Sequence, residues 1–173
     1  MKSILVSACL LGEPVRYDGK DNQLKLSQWH HIITQWKKQC RLIPVCPETL
    51  GGLPTPRPAA ELQKVDGYDV LATHSPHEGQ VLTNHGEDVT QAFIKGARKT
   101  LSIAQQHQVA AALLASRSPS CGSQQIYNGN FDGTLIEGVG VTAALLEQHG
   151  IRCFSPERMQ ELIEFIAKQD AGK

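Results

Sequence analysis

The sequence predicts an α/β fold with a largely parallel sheet, and three observations carry that prediction. Four short apolar runs, "SILVSA" (3–8), "RLIPVC" (41–46), "VAAALLAS" (109–116) and "IRCF" (151–154), are continuous rather than alternating, as in strands buried on both faces. Segments with helical spacing separate them, and strands that alternate with helices build parallel sheets through right-handed crossovers. Three of the runs lead into a cysteine followed by a loop rich in glycine or proline: "SACLLG", "PVCPETLGG" and "SRSPSCGS". With helices on both faces, the arrangement is a Rossmann-like three-layer fold with cysteines at the carboxyl edge of the strands.

The elements follow in order. After the first strand, "LLGEPVRYDGKDN" is a glycine-containing loop. Trp29, Ile32, Ile33 and Trp36 fall at i, i+3, i+4 and i+7 and predict a helix capped by Ser27, with Lys37 and Lys38 near its end and the tryptophans in the core. The second strand runs into "PETLGGLPTPRPAAE", too rich in proline and glycine to be regular. Residues 62–86 are polar and broken by "DG", "SPHEG" and "NHG", a hairpin pattern. His74 and His77 lie in this stretch, but Pro76 breaks the helix that would put both on one face, so they are not read as metal ligands.

Asp88 with Gln91 resembles a capping box, opening a helix through residue 107 whose apolar face includes Phe93, Ala97, Leu101 and Ala104. "QIYNGNFDGTLIEG" carries Asn-Gly and Asp-Gly turn signals and reads as an irregular hairpin. "VTAALLEQHG" is a helix stopped by Gly150. Ser155 and Pro156 open the last helix, striped by Met159, Leu162, Ile163 and Ile166. No repeat or linker interrupts the 173 residues, which is the length of one domain with a full core.

Composition narrows the function classes. Seventeen basic residues balance seventeen acidic ones, so no overall field draws the chain to nucleic acid, which is disfavoured as a partner. The opening "MKSILVSACLLG" has an apolar run too short to span a bilayer and no small-residue cleavage pattern, so the expected setting is the cytoplasm, with no membrane partner. The five cysteines, at 9, 40, 46, 121 and 153, are then thiols rather than a disulfide framework.

In a parallel sheet every strand ends at one edge, and the loops leaving that edge build the ligand crevice. Cys9, Cys46 and Cys121 sit at or beyond such ends, so the fold itself would bring them together; three separate buried thiols are the competing reading. Cys40 precedes the second strand and Cys153 lies inside the fourth, and both read as structural. Three thiolates without a fourth suit zinc or an iron–sulfur cluster with one open iron, and an open position is where a substrate atom binds.

The segments "ILVSACLLG", "RYDG", "PVCPETLGGLPTPRPAAE", "DVTQAF", "SRSPSCG" and "GVTAALL" together resemble the DUF523 family, which includes the thiouracil desulfidases. The resemblance spans roughly residues 3–155. It implies a 4Fe-4S cluster on Cys9, Cys46 and Cys121 whose open iron takes the sulfur of a small thiolated pyrimidine and helps to release it as sulfide. Relatives often carry a further cysteine where this sequence has Val15, a position outside the three-cysteine set.

Replacing C=S by C=O through hydrolysis leaves the substrate's redox state unchanged, so no electron-transfer partner is required. Such a reaction needs a soft Lewis acid for sulfur, a base for water and donors that fix the ring. Glu48 in "CPE" is the expected base, and Ser118 the residue that contacts the pyrimidine or a proton-transfer water, with Ser120 its rival. Arg16, Tyr17 and Asp18 of "RYDG" and Arg57 of "PTPRPAAE" are expected at the same edge to bind the base or a phosphate attached to it, with Glu61 partnering one of the arginines. An iron–sulfur or zinc sensor without turnover is the alternative; a sensor has no use for a carboxylate beside an open metal position.

Overall fold

The computed structural model describes residues 1–72 and 79–172. His74 and His77 lie outside them. The four apolar runs form β1 (Ile4–Ser7), β2 (Leu42–Val45), β5 (Ala111–Leu113) and β8 (Arg152–Phe154), all parallel, in the order β2-β1-β5-β8. The register pairs Ile4 with Leu42 and Ala111, and Leu113 with Phe154, so the four carboxyl ends are level. Ile4, Leu5, Val6 and Ala111 to Leu113 are completely buried, as strands covered on both faces must be. The chain steps one way from β1 to β2 and the other way from β5 to β8. The sheet therefore has its switch point between β1 and β5, where a crevice opens beyond the carboxyl ends.

Helices α1 (His30–Lys38), α4 (Thr90–Gln106), α5 (Val141–Gln148) and α6 (Met159–Ala171) follow the predicted apolar stripes. The stripes fill two adjoining cores, one on the sheet and one around Leu62, Phe93, Ile126 and Val141. Gly150 ends the α5 region in a left-handed conformation, as its position predicts. Asp170 of α6 reaches back across the molecule, accepting from the Lys2 amide at 2.7 Å and from buried Arg41 at 2.8 Å.

Several boundaries differ from the sequence reading for identifiable reasons. Ser27 does not cap α1: residues 23–29 coil as a 3-10 helix and the α-helix begins at His30, with Trp29 in the capping position. Asp88 forms no capping box with Gln91; its Oδ1 accepts instead from the Thr90 amide and hydroxyl, one position nearer. "PETL" is not loop but one helical turn, α2 (Pro47–Leu50), with Cys46 as N-cap and Pro47 at N1. The stretch 62–86 is not a simple hairpin. β3 (Ala60–Leu62) and β4 (Val81–Thr83) do pair antiparallel, but α3 (Gly67–Ala72) intervenes, because the Asp66 carboxylate accepts from the Tyr68 and Asp69 amides and turns "DG" into a helix start. β6 (Gln125–Tyr127) and β7 (Leu135–Glu137) make the expected irregular hairpin.

Candidate active site

Three loops leave the carboxyl edge of β1, β2 and β5, and each carries one cysteine into a single cavity of about 580 Å³, within the size range of small-ligand sites. Cys9 sits in the 3-10 turn Ala8–Leu11, closed by Gly12 at φ +96°. Cys46 directly follows β2. Cys121 lies in the loop after β5, where the amides of Gly140 to Ala143 at the start of α5 donate to the carbonyls of Gly122, Pro119 and Ser120 at 2.7–3.1 Å. A Cβ on Gly140 would come within 2.4 Å of the Ser120 carbonyl carbon, so only glycine lets α5 approach that loop so closely. Cys40 is exposed and Cys153 is buried in β8, its Sγ facing the carbonyls of Ala143 and Ile151; neither lines the cavity.

The thiols have distinct polar neighbours. Cys121 Sγ faces the Ser7 and Ser120 hydroxyls at 3.5 and 3.6 Å. Its thiol is pushed up to about 12 by burial, against the pull of those two hydrogen bonds. Burial also raises Cys9, partly offset by the Asn22 amide, whose Nδ2 lies 3.6 Å from Cys9 Sγ. Cys46 Sγ lies 3.8 Å from the Val15 carbonyl. The raised thiols of Cys9 and Cys121 keep their protons at neutral pH until a metal takes the proton's place. Among the described residues no three His, Cys, Asp or Glu side chains form a cage for a single metal ion. The donor set is nevertheless soft: three thiols around one cavity, each from a different loop, fit a multinuclear centre that spreads its ligands over several metal atoms.

A polar chain runs beside them. Glu48, in the first turn of α2, accepts from Arg57 Nε at 3.4 Å and from Ser120 Oγ at 3.3 Å. Ser120 Oγ also lies 3.0 Å from Ser118 Oγ, so Ser120 connects Glu48, Ser118 and Cys121. Ser118 Oγ accepts from the Ser120 and Cys121 amides at 3.2 Å while lining the cavity. Buried Arg57 donates to the carbonyls of Val15 and Pro54 as well, tying the first loop to the second.

The structure thus gathers Cys9, Cys46, Cys121, Glu48, Ser118, Ser120, Arg16, Tyr17 and Arg57 on one cavity wall. Asp18 stands apart from the lining and grips Arg16. Glu61 pairs with no arginine among the described residues. Its Oε1 accepts instead from the Gly129 and Phe131 amides, holding the tip of the β6–β7 hairpin over the cavity. Asn22, Arg117, Tyr127 and Phe131 also line the cavity and were not singled out from sequence. Phe131 had a signal: an aromatic residue inside "NGNFDG", where a turn needs only polar residues and glycine. Arg117 and Phe131 both adopt positive φ, as do Cys40, Lys64 and Gln108 away from the cavity.

Residues 4–158 match the model of a protein family described as 2-thiouracil desulfurase. The chain belongs to the 2-thiouracil desulfurase family. A family relative, the uncharacterised protein YbbK of Bacillus subtilis (strain 168), is 42% identical over 160 residues, covering 92% of this chain and 99% of YbbK. A solved structure described as the [4Fe-4S]-dependent thiouracil desulfidase TudS (DUF523Vcz) superposes with a TM-score of 0.82 at 41% identity, covering 96% of this chain and 99% of that one. The Rossmann-like fold expected from sequence is therefore the fold of this desulfurase-family chain. Among its described residues no helix is long and apolar enough to cross a membrane.

Proposed function

We propose that this chain is a 4Fe-4S-dependent, non-redox desulfidase that hydrolyses thiouracil or a related small thiolated pyrimidine and releases sulfide. The observation that carries the reading is the meeting of Cys9, Cys46 and Cys121 with Glu48 on one cavity at the switch point of the sheet. The three thiols would hold the cluster, which would supply a soft Lewis acid for the substrate's sulfur.

Glu48 takes one proton from water as the water oxygen attacks the carbon bearing sulfur; C=O then forms as that hydroxyl gives up the second proton and the C–S bond breaks, and the sulfur leaves with both protons as hydrogen sulfide. Ser120 and Ser118 relay that proton and meet the ring, since Ser120 touches Glu48 and Ser118 borders the cavity. Arg57 holds Glu48 in place, and Tyr17 and Arg16 bound the substrate's side of the cavity. Atoms balance with water as the only co-reactant, so the cytoplasmic reaction needs no electron-transfer partner.

The test is anaerobic purification with iron and sulfide analysis, followed by assay of sulfide release from thiouracil. Close to four irons per chain and catalytic sulfide release are expected. A cluster-replete protein that binds thiouracil without turnover would favour the sensor reading.

A further inference from the structure

We infer that Asn22, aimed by Arg16 and Asp18, is a positioning residue for Cys9: its side-chain amide donates to Cys9 Sγ and tunes the group that Cys9 holds. The inference rests on the cavity being a cluster site. Asn22 is fixed to Cys9 twice, its main-chain amide donating to the Cys9 carbonyl at 2.8 Å and its Nδ2 lying 3.6 Å from Sγ. Its Oδ1 accepts from Arg16 Nη1 at 2.5 Å, and Arg16 is held by Asp18 through Nε at 3.2 Å and Nη2 at 3.1 Å.

The chemistry of these groups decides the direction. A guanidinium can only donate, so it selects the oxygen of the amide and leaves the NH₂ for the sulfur. Carboxylate, guanidinium, amide and thiol form a line in which each group settles the orientation of the next. Among the described residues, no other thiol of the three has a side-chain amide as its donor. Cys46 faces a carbonyl, and the Cys121 neighbours are hydroxyls, one of them shared with Glu48 and Ser118. Arg16 and Asp18, expected from sequence to bind substrate, thereby acquire a task directed at the ligand, and Asp18 performs it from outside the cavity lining. A donor on a ligand sulfur withdraws electron density, which raises a cluster's reduction potential, and it fixes the direction in which the sulfur is presented to the metal.

The test compares anaerobically reconstituted wild type with Asn22→Leu, Asn22→Asp and Arg16→Gln, reading the midpoint potential by EPR-monitored titration and iron retention against a chelator. For Asn22→Leu a more negative potential is expected, with retention lower by roughly 10- to 100-fold, the scale seen for residues that support metal ligands. Asn22→Asp, which brings an acceptor to the sulfur, falls at least as far. Arg16→Gln shifts in the same direction, because the amide is then free to turn. Should Asn22→Leu lose its fold by circular dichroism, Arg16→Gln decides the matter alone. Potentials and retention equal to wild type overturn the inference. A wild type that takes up no cluster overturns the reading of the cavity itself, which is a different result from a loaded but insensitive protein.

Discussion

Glu48→Gln keeps the size of the side chain and its ability to accept from Arg57, but removes its capacity to take a proton from water. Thiouracil binding and iron content are expected to survive, while single-turnover sulfide release falls by the roughly 10²- to 10⁴-fold that general-base catalysis contributes. Unchanged release would reduce Glu48 to a loop residue. Among the cysteines, serine at 9, 46 or 121 is expected to lower bound iron, since a hydroxyl is a poor soft-metal ligand, whereas Cys40→Ser and Cys153→Ser retain it. Equal loss at all five positions would indicate unfolding instead. That the three thiols and Glu48 line one cavity was legible because each follows a buried apolar run, in the loop that leaves the strand's carboxyl end. Asn22 was not, since its bonds to Arg16 and Cys9 reach six and thirteen residues back through an irregular loop and leave no periodic pattern. Glu61 illustrates the same limit: the sequence suggests an arginine partner, whereas the carboxylate meets backbone amides some seventy residues away.

At the scale of elements, the placement of Glu48 depends on two glycines. A Cβ on Gly96 of α4 would lie 1.9 Å from the Pro47 carbonyl oxygen, and one on Gly51 would lie 2.0 Å from the Ala92 carbonyl oxygen. Backbone therefore touches backbone where α4 supports α2, the turn between Cys46 and Gly51. Gly96→Ala must push α2 outward, and with it Cys46 and Glu48. Destabilisation of about 1–3 kcal/mol is expected, as for an overpacked core, together with reduced iron content. Denaturant midpoints and iron analysis of the purified variant check both parts, and a normal iron content would show that α2 can move without disturbing the thiols. The long helices could be read from apolar period. A four-residue helix such as α2 is too short to show one, and only the Pro at its first position hinted at it.

For the molecule as a whole, Asp170 joins the last helix to the beginnings of β1 and β2. Burial alone would raise its carboxyl, but the Lys2 amide and the Arg41 guanidinium outweigh it and hold the group below its ordinary 3.8. A depressed carboxyl stabilises the fold fully above the unfolded value and loses that contribution as pH falls through the folded one. Asp170→Asn is therefore expected to cost about 1–2 kcal/mol at pH 7. The gap from wild type should close in acid, below 3.8, as thermal melts at several pH values would show. A constant gap would mean that the carboxylate's charge contributes nothing. The fold class was legible from four buried runs and their intervening stripes. The strand order β2-β1-β5-β8 was not, because pairing is decided by packing between segments that no local signal connects.

The distribution of the three thiols over the loops after β1, β2 and β5 also governs the order of events in the protein's birth. A ribosome delivers Cys9 and Cys46 early, but Cys121 reaches them only once β5 has been made and has docked beside β1. A group shared by all three, as proposed, would be completely held only after β5 has docked beside β1. On the proposed reading, delivery of the metal and entry of the substrate would use the same cavity mouth, so a substrate already lodged there would hinder loading.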